Sequence, residues 1–276
     1  MKLSAESAVI SGYNGQNHLI IKHFYAPQHA TIVQRLKAEL DYLSAHMKDR
    51  SHQVNTCLSA HPDQGLAMLE YISGDTVATQ LMQCSGPQRY DMIATCSQWL
   101  SSYIGARHHR KLFPVAKWHT HLGGINLPEM RPEKRFIMET LLDTLTRQIA
   151  QLGHSNTTFA ASHGDFSSQN LIYNAPTMFG VDIQGKTVMP IAQELARFLA
   201  WQHTAYAQPA QPLQNGTFTA DMQAVFTSFQ SIKHSERDVF RFFMGYHVFL
   251  RLLTMRGDPT VFDRAARLMT SYLAGF

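Results

Sequence analysis

The chain has 276 residues, 45% hydrophobic and 16% charged, which is enough apolar surface for one large domain or two lobes of unequal size. Its net charge of +4 is scattered and no apolar run reaches the length of a membrane span, so we expect neither a nucleic-acid partner nor a membrane partner. The start lacks the apolar core of a signal peptide and the three cysteines share no CxxC spacing, so we expect a cytoplasmic protein with reduced thiols.

The first quarter of the chain is predicted to be rich in strands. Two apolar runs, SAVIS and HLIIKHF, are joined by GYNGQN, whose Gly and Asn residues are typical of a hairpin turn. Apolar residues then recur at helical spacing over residues 31–47. Residues 66–71 have the composition of a strand that ends in a Ser-Gly-Asp turn. These elements predict a small lobe built from strands and one helix.

Two charged residues of this region lie on faces that are otherwise apolar. Strand alternation places Lys22 on the face of Ile20 and Phe24, and helical spacing places Glu39 at the edge of the apolar stripe. Burying an unpaired ammonium is costly, so an ion pair between Lys22 and Glu39 would hold a cation within reach of phosphate oxygens. A lysine that extends to solvent and a glutamate at a boundary explain the same pattern.

The remainder of the chain is predicted to be mainly helical. Apolar residues at helical spacing predict helices over residues 90–104 and 133–152. A further apolar stripe over residues 239–253 predicts a helix that packs in the core. The segment 202–216 is polar and rich in Gln and Pro, so we expect an exposed loop there.

A polar loop, HGDFSSQN, follows the short strand TFAAS and precedes two brief strands, LIY and MFGVDI. The loop carries Asp165 and Asn170, and alternation in the last strand places Asp182 beside Gly180, which we expect to leave room for a ligand. Mg²⁺ takes oxygen ligands and keeps several waters, so Asn170 and Asp182 are candidate ligands. Asp165 is placed to accept a proton from a substrate hydroxyl. Each residue alone is more often a turn former, but the combination indicates phosphoryl transfer.

Five segments of the chain occur in an order that a known family shares. IIKHF, RLKAELDYL and LAMLEYISGD come first, HGDFSSQN fits the pattern HGDxxxxN, and VDIQG follows a hairpin. Together they resemble the aminoglycoside phosphotransferase and choline kinase family. The resemblance implies an α+β, protein-kinase-like fold of two lobes. It places a shortened, β-rich nucleotide-binding lobe over residues 1–72 and a larger, mainly helical catalytic and substrate-binding lobe over residues 73–276.

The resemblance implies a role for each matching residue in an ATP- and Mg²⁺-dependent kinase. Asp165 would be the catalytic base. Asn170 and Asp182 would be the Mg²⁺ ligands. Lys22 would contact the α and β phosphates of ATP, with Glu39 as its ion-pair partner.

The resemblance also implies a hinge and a loop that covers the nucleotide. The hinge residues, whose backbone would meet adenine, are Glu70, Tyr71 and Ile72. Only 21 residues precede the strand lysine, so we expect the first strand of the family to be absent. Ser4 and Ser7 would then be the contacts of the covering loop to phosphate. We expect His163 to support the polar loop rather than to transfer protons.

The sequence thus predicts a kinase that phosphorylates a hydroxyl of a small molecule, such as an aminoglycoside, amino sugar, choline-like amine or sugar. Acidic residues of the second lobe could meet an amine, and Trp201 and Tyr206 could stack on a sugar or cage a quaternary ammonium. The alternative is a catalytically degenerate kinase-like protein that binds a nucleotide or metabolite as a regulatory module. A protein kinase fits less well, because no activation segment is recognisable after VDIQG.

Overall fold

The computed structural model describes residues 2–3, 6–47, 51–183, 187–208, 210–229, 236–254 and 259–276. The strands are β1 (Lys2–Leu3), β2 (Ser7–Asn14), β3 (Asn17–Phe24), β4 (His52–Val54), β5 (Cys57–His61), β6 (Leu66–Glu70), β7 (Asp75–Thr76), β8 (His108–Leu112), β9 (Asn156–Ser162), β10 (Leu171–Asn174), β11 (Thr177–Gly180), β12 (Thr187–Pro190), β13 (Leu213–Gln214) and β14 (Thr217–Phe218). The helices are α1 (His29–His46), α2 (Val77–Gln83), α3 (Gly86–Ile104), α4 (Val115–Gly123), α5 (Pro132–Gln151), α6 (Ile191–Ala205), α7 (Thr219–Ser228), α8 (Arg237–Thr254) and α9 (Pro259–Leu273).

One antiparallel sheet and helix α1 form the first part of the molecule. The strand order is β1-β2-β3-β6-β5, and the predicted hairpin is confirmed as β2 and β3. The chain turns between them at Gly15, whose φ of 62° suits a residue without a side chain. Helix α1 packs against this sheet through an apolar stripe that includes the buried Val33, Leu36 and Leu40.

The first strand of this sheet corrects one expectation. β1 is only two residues long, but it pairs antiparallel with β2, with Lys2 opposite Val9. A strand does precede the hairpin, so the expected absence of a first strand is wrong. Two paired residues are too few for an alternating pattern to reveal.

A second sheet connects the two parts of the molecule. Its order is β4-β11-β10-β7, and β10 and β11 are the hairpin predicted after the polar loop. Strand β4 lies between α1 and β5 in the chain, yet it pairs in parallel with β11, with His52 opposite Met178. The segment before residue 72 therefore shares backbone hydrogen bonds with the hairpin that leads to Asp182.

The rest of the molecule is mainly helical and contains a large apolar core. Helices α6 and α8 pack against each other, and most of the apolar stripe predicted over residues 239–253 is buried along α8. Helices α3 and α5 confirm the helices predicted over residues 90–104 and 133–152. Across the described ranges, no helix combines the length and the apolar character needed to cross a bilayer.

The polar segment 202–216 is only in part the exposed loop that its composition predicts. Helix α6 continues to Ala205, and the β13–β14 hairpin begins inside the segment. Gln208 accepts a hydrogen bond from the buried Arg89. A buried arginine recruits a polar side chain from this segment, and composition does not reveal such a long-range contact.

Candidate active site

The polar loop after β9 holds Asp165 and Asn170 against each other. The side-chain amide of Asn170 donates to the backbone oxygen of Asp165 at 2.9 Å and to its Oδ2 at 3.1 Å. The Asp165 side chain remains 49% exposed, so a ligand can still reach it. Because Asn170 faces Asp165 through Nδ2, the Oδ1 of Asn170 points away from Asp165.

Val181 joins this loop to Asp182. Its N–H donates to the backbone oxygen of Asn170 at 2.9 Å, and its carbonyl lies 3.0 Å from Nε2 of His163. Both ends of the polar loop are therefore fastened to the residue that precedes Asp182. The structure brings together Asp165, Asn170 and Asp182, which the sequence analysis proposed as one site.

The last strand ends earlier than the alternating pattern predicts. β11 stops at Gly180, and Asp182 has a left-handed φ of 60°, one that few side-chain-bearing residues adopt. The expectation that Gly180 leaves room for a ligand is wrong, because a Cβ at this position would overlap the Trp99 ring. The close approach of a buried tryptophan explains this glycine.

His163 supports the polar loop from the buried side, as expected. It is fully buried, and its Nδ1 accepts a hydrogen bond from the Asp165 backbone N–H at 3.3 Å, so Nε2 carries the proton that is donated to Val181. Burial lowers the pKa of His163 to about 4, and the nearby carboxylates of Asp182 and Asp165 oppose this shift. The imidazole is therefore neutral at pH 7, which suits a scaffold and not a proton shuttle.

Glu194 on α6 fixes the start of the same loop. Its carboxylate accepts hydrogen bonds from the Ser162 hydroxyl at 2.9 Å and from the His163 backbone N–H at 3.0 Å. The Ser162 oxygen in turn accepts the N–H of Gly164 at 2.9 Å. Burial raises the pKa of Glu194, and these hydrogen bonds oppose the rise. One helix residue thus sets the backbone that presents Asp165.

Lys22 of β3 and Glu39 of α1 have partners other than those predicted. Lys22 is buried and forms an ion pair with Asp182, whereas Glu39 accepts a hydrogen bond from Arg107 at 2.7 Å. The prediction that Glu39 turns inward is confirmed, since it is 5% exposed. Within the described part of the chain, however, the predicted ion pair between Lys22 and Glu39 does not form. Arg107 offers Glu39 a closer cation, and Lys22 reaches across to the acid that follows β11.

Sequence reasoning missed the residues that anchor Glu39. The Tyr103 hydroxyl lies 2.9 Å both from Glu39 Oε1 and from the backbone oxygen of Ser162. Arg107 also donates to the backbone oxygen of Tyr103 at 2.7 Å. Helix α1 is thereby connected to the start of the polar loop through a buried tyrosine. The only available signal was the spacing of Tyr103 and Arg107, four residues apart near the end of a predicted helix.

Arg197 is a second residue that sequence reasoning missed. Its guanidinium donates to the backbone oxygen of Gly164 and lies 3.9 Å from Oδ1 of Asp165. Its position three residues after Glu194 on α6 puts both side chains on the face that meets the loop. That spacing was the available signal.

The predicted hinge residues lie at the end of β6. The Glu70 backbone N–H donates to the Thr56 oxygen at 2.9 Å, and its carbonyl accepts from the Asn55 side chain at 3.5 Å. Tyr71 is 39% exposed, and its ring stacks on the His18 ring with 3.7 Å between the ring centroids. Ile72 is buried, Ser7 lies in β2 opposite Phe24, and Ser4 is outside the described residues.

The donor set fits a divalent cation such as Mg²⁺. The Asn170 side chain bonds Asp165 through Nδ2 and so keeps its Oδ1 for a ligand, and Asp182 supplies a carboxylate. Amide and carboxylate oxygens are the ligand types that this cation prefers. In the described ranges, no group of three His, Cys, Asp or Glu side chains forms a cage for a metal ion. A site with two protein ligands would therefore need phosphate and water oxygens to complete it.

Comparisons with known proteins identify the fold. No family model and no curated protein sequence matches the chain. A choline/ethanolamine kinase family protein from Mesorhizobium loti matches with a TM-score of 0.59 at 12% identity, covering 97% of this chain and 91% of that one. The chain has the protein-kinase-like fold of small-molecule kinases. In this fold the first sheet and α1 are the small lobe, and the helical part is the large lobe.

Two further small-molecule kinase structures agree. APH(2")-IIia in complex with GDP and kanamycin matches with a TM-score of 0.58 at 11% identity, covering 99% of this chain and 95% of that one. Amicoumacin kinase in complex with AMP-PNP and Ca²⁺ matches with a TM-score of 0.55 at 13% identity, covering 99% and 87%. The predicted α+β, protein-kinase-like fold is thus confirmed over nearly the whole chain.

Proposed function

We propose that this protein is a member of the aminoglycoside phosphotransferase and choline kinase family that transfers the γ-phosphoryl group of ATP to a hydroxyl of a small molecule. The observation that carries the proposal is the joined arrangement of Asp165, Asn170 and Asp182 around Val181, with Lys22 bonded to Asp182. Kinases of similar fold have been captured with AMP-PNP and Ca²⁺ or with ADP, which supports a nucleotide and a divalent cation here. ATP as the donor agrees with the cytoplasmic location that the sequence predicts.

Asp165 acts on the acceptor hydroxyl in this proposal. It accepts the hydroxyl proton while the hydroxyl oxygen forms a bond to the γ-phosphorus and the bond to the ADP oxygen breaks. Asn170 bonds Oδ2 of Asp165 and Arg197 lies 3.9 Å from Oδ1, so the carboxylate is oriented before the substrate arrives. Orientation of this kind is the main contribution that a protein makes to phosphoryl transfer.

Asp182 and Asn170 would hold Mg²⁺, which when bound neutralises charge on the phosphate oxygens. Lys22 lies on the sheet face that Ser7 and Ile20 share, since residues paired across antiparallel strands point to one side. We assign Lys22, with Ser7, to the phosphates of ATP. Lys22 exchanges its contact with Asp182 for these oxygens.

The adenine contacts fall to the end of β6. Both backbone groups of Glu70 already bond Thr56 and Asn55, so we assign adenine to the backbone of Tyr71 and Ile72. Glu39 takes part indirectly in this proposal. Its bonds to Arg107 and Tyr103 hold α1, and with it the small lobe, in place above the polar loop.

Replacement of Asp165 tests the proposal. Asp165→Asn keeps the size of the side chain but removes the proton acceptor, so we expect phosphoryl transfer to fall by about 10²-fold or more while ATP affinity stays within about twofold. Transfer of labelled γ-phosphate to a set of aminoglycosides, amino sugars, choline-like amines, sugars and sugar acids measures the first quantity. Isothermal titration with ATP and Mg²⁺ measures the second.

The exposed Asp41, which pairs with Lys37 on α1, provides the matched control, since Asp41→Asn should change neither quantity. Equal transfer by Asp165→Asn and the unmodified protein would contradict the proposed base. ATP binding without transfer to any acceptor by the unmodified protein would instead support the degenerate, regulatory alternative.

A further inference from the structure

A cavity of about 460 Å³ opens directly beside Asp165. Its walls come from α6 and α8, which contribute Arg197, Trp201, His247, Leu250 and Arg251 among others. This volume is in the range of sites that bind small molecules. If Asp165 accepts a hydroxyl proton, the rest of the acceptor molecule must occupy this space.

The charge of this cavity is opposite to that expected for an amine site. Two guanidinium groups, those of Arg197 and Arg251, line it, and Asp165 is the one acid among the described lining residues. Arg251 donates through Nε to the Thr204 hydroxyl at 3.1 Å, and the described part of the chain offers no acceptor to its Nη1 or Nη2. Planar guanidinium groups in this arrangement are suited to carboxylate and phosphate oxygens.

Trp201 does not form an open cage for a quaternary ammonium. The Arg251 guanidinium lies over the Trp201 ring, 5.8 Å from the ring centroid. A second cation at this wall would meet a like charge, whereas an anion would meet two opposite charges. The sequence-based suggestion that Trp201 cages a choline-like amine therefore finds no support in the cavity.

His247 lies in the wall of this cavity as a buried side chain. It is 5% exposed, and its Nε2 is buried and has no partner among the described residues. Burial lowers the pKa of His247 to about 3, and the charge of Arg197 contributes to the same direction. The imidazole is therefore neutral at pH 7 and adds no third positive charge to a wall that already carries two guanidinium groups.

We propose that the acceptor is an anionic alcohol, that is, a small molecule that carries a carboxylate or phosphate group as well as its hydroxyls. Its anionic group binds the Arg197 and Arg251 guanidinium groups. This inference rests on the proposed function for the identity of the bound molecule as an acceptor. The charge preference of the cavity does not depend on it and can be measured by binding alone.

Small polyols that share a carbon framework but carry a negative, zero or positive charge test this inference. D-Glucuronate, D-glucose and D-glucosamine form one set, and glycerate with glycerol 3-phosphate, glycerol and 3-amino-1,2-propanediol form another. Dissociation constants are measured by ligand-observed NMR without ATP, on the unmodified protein and on Arg251 variants. We expect the anion of at least one set to bind about tenfold or more tightly than the amine of that set.

The Arg251 variants distinguish a specific anion site from nonspecific attraction of anions to a positively charged protein. Arg251→Gln should reduce the preference for the anion by about tenfold, and Arg251→Lys should keep most of it because the charge remains. Arg135→Gln is the control, because Arg135 is an exposed residue of α5 that pairs with Glu139. This variant should leave the preference unchanged.

The outcomes distinguish this inference from the proposed function. Equal or tighter binding of the amines, no binding of any anion, or a preference that survives Arg251→Gln would overturn the anionic acceptor, even if the protein phosphorylates other alcohols. Selective anion binding that depends on Arg251, without transfer of phosphate to any acceptor tested, would support the charge preference of the cavity and contradict the kinase.

Discussion

Two pairs of opposite charges in this molecule are built differently. In the large lobe, Arg89 on α3 and Asp221 on α7 bond each other with side chains that are 3% and 1% exposed. At the candidate active site, which we call the cleft, Lys22 is nearly as buried, but its partner Asp182 keeps a side chain that is 36% exposed. The first pair is closed to ligands, whereas the second leaves a carboxylate within reach of solvent. The comparison separates a pair that holds the fold from a pair that we propose serves a ligand.

The large-lobe pair is completed by further hydrogen bonds. Arg89 contacts Asp221 at 3.0 Å through Nε and at 2.6 Å through Nη2, and it also donates to the Leu81 backbone oxygen. His203 adds a contact of 2.8 Å to the same carboxylate. Burial alone would raise the pKa of Asp221, but the hydrogen bonds and charges of His203 and Arg89 outweigh it and lower the pKa. We call Arg89, His203 and Asp221 the buried network.

Removal of Asp221 should have the largest effect on stability. Asp221→Ala leaves the Arg89 charge buried without its partner, so we expect a loss of about 3–5 kcal/mol in the free energy of unfolding. Urea denaturation followed by circular dichroism measures it. Asp41→Ala on the exposed face of α1 should change stability by no more than about 0.5 kcal/mol. A loss below about 1 kcal/mol for Asp221→Ala would show that the buried network does not hold the fold.

The pH dependence of the free energy of unfolding tests whether His163 is buried and neutral in the cleft. Its pKa of about 4 in the folded protein lies below the ordinary 6.5, so the unfolded chain binds the proton first as the pH falls. The free energy of unfolding should therefore decrease between about pH 6.5 and 4, by up to about 3 kcal/mol from this residue, and level off below. His163→Gln should reduce that slope in urea titrations at several pH values.

The exposed His154 is the control for this experiment, since His154→Gln should leave the slope unchanged. Burial also lowers the pKa values of His203 and His247, so His163→Gln should retain part of the pH dependence. A slope that is the same in His163→Gln and the unmodified protein would mean that His163 is accessible to protons in the fold.

The parts of this structure that could be predicted from sequence are local. Asp165 and Asn170 are five residues apart in one loop, so a single polar motif predicts that they meet. The hairpin and α1 follow from alternation and helical spacing within a few turns of chain. In each case the residues that give the signal are also the residues that make the contact.

The ion pairs could not be predicted, because their partners are distant in the chain. Lys22 and Asp182 are 160 positions apart, and Glu39 and Arg107 are 68 apart. A burial pattern shows that Lys22 and Glu39 need partners but does not show which ones. The choice depends on how the second sheet and α3 pack, and this packing is not encoded in any single segment.

Replacement of Lys22 should have the smallest effect on stability and thereby sharpen the comparison with the buried network. Lys22→Met preserves the apolar stem, and the exposed Asp182 carboxylate regains water, so we expect a loss of no more than about 1 kcal/mol in the free energy of unfolding. Nucleotide affinity should fall by about tenfold or more, because a charged contact to phosphate is lost. Isothermal titration with ATP measures that affinity, and Lys37→Met on the exposed side of α1 should leave it unchanged. A stability loss of about 3 kcal/mol would make the cleft pair as structural as the buried network, and unchanged ATP affinity would remove Lys22 from the proposed nucleotide site.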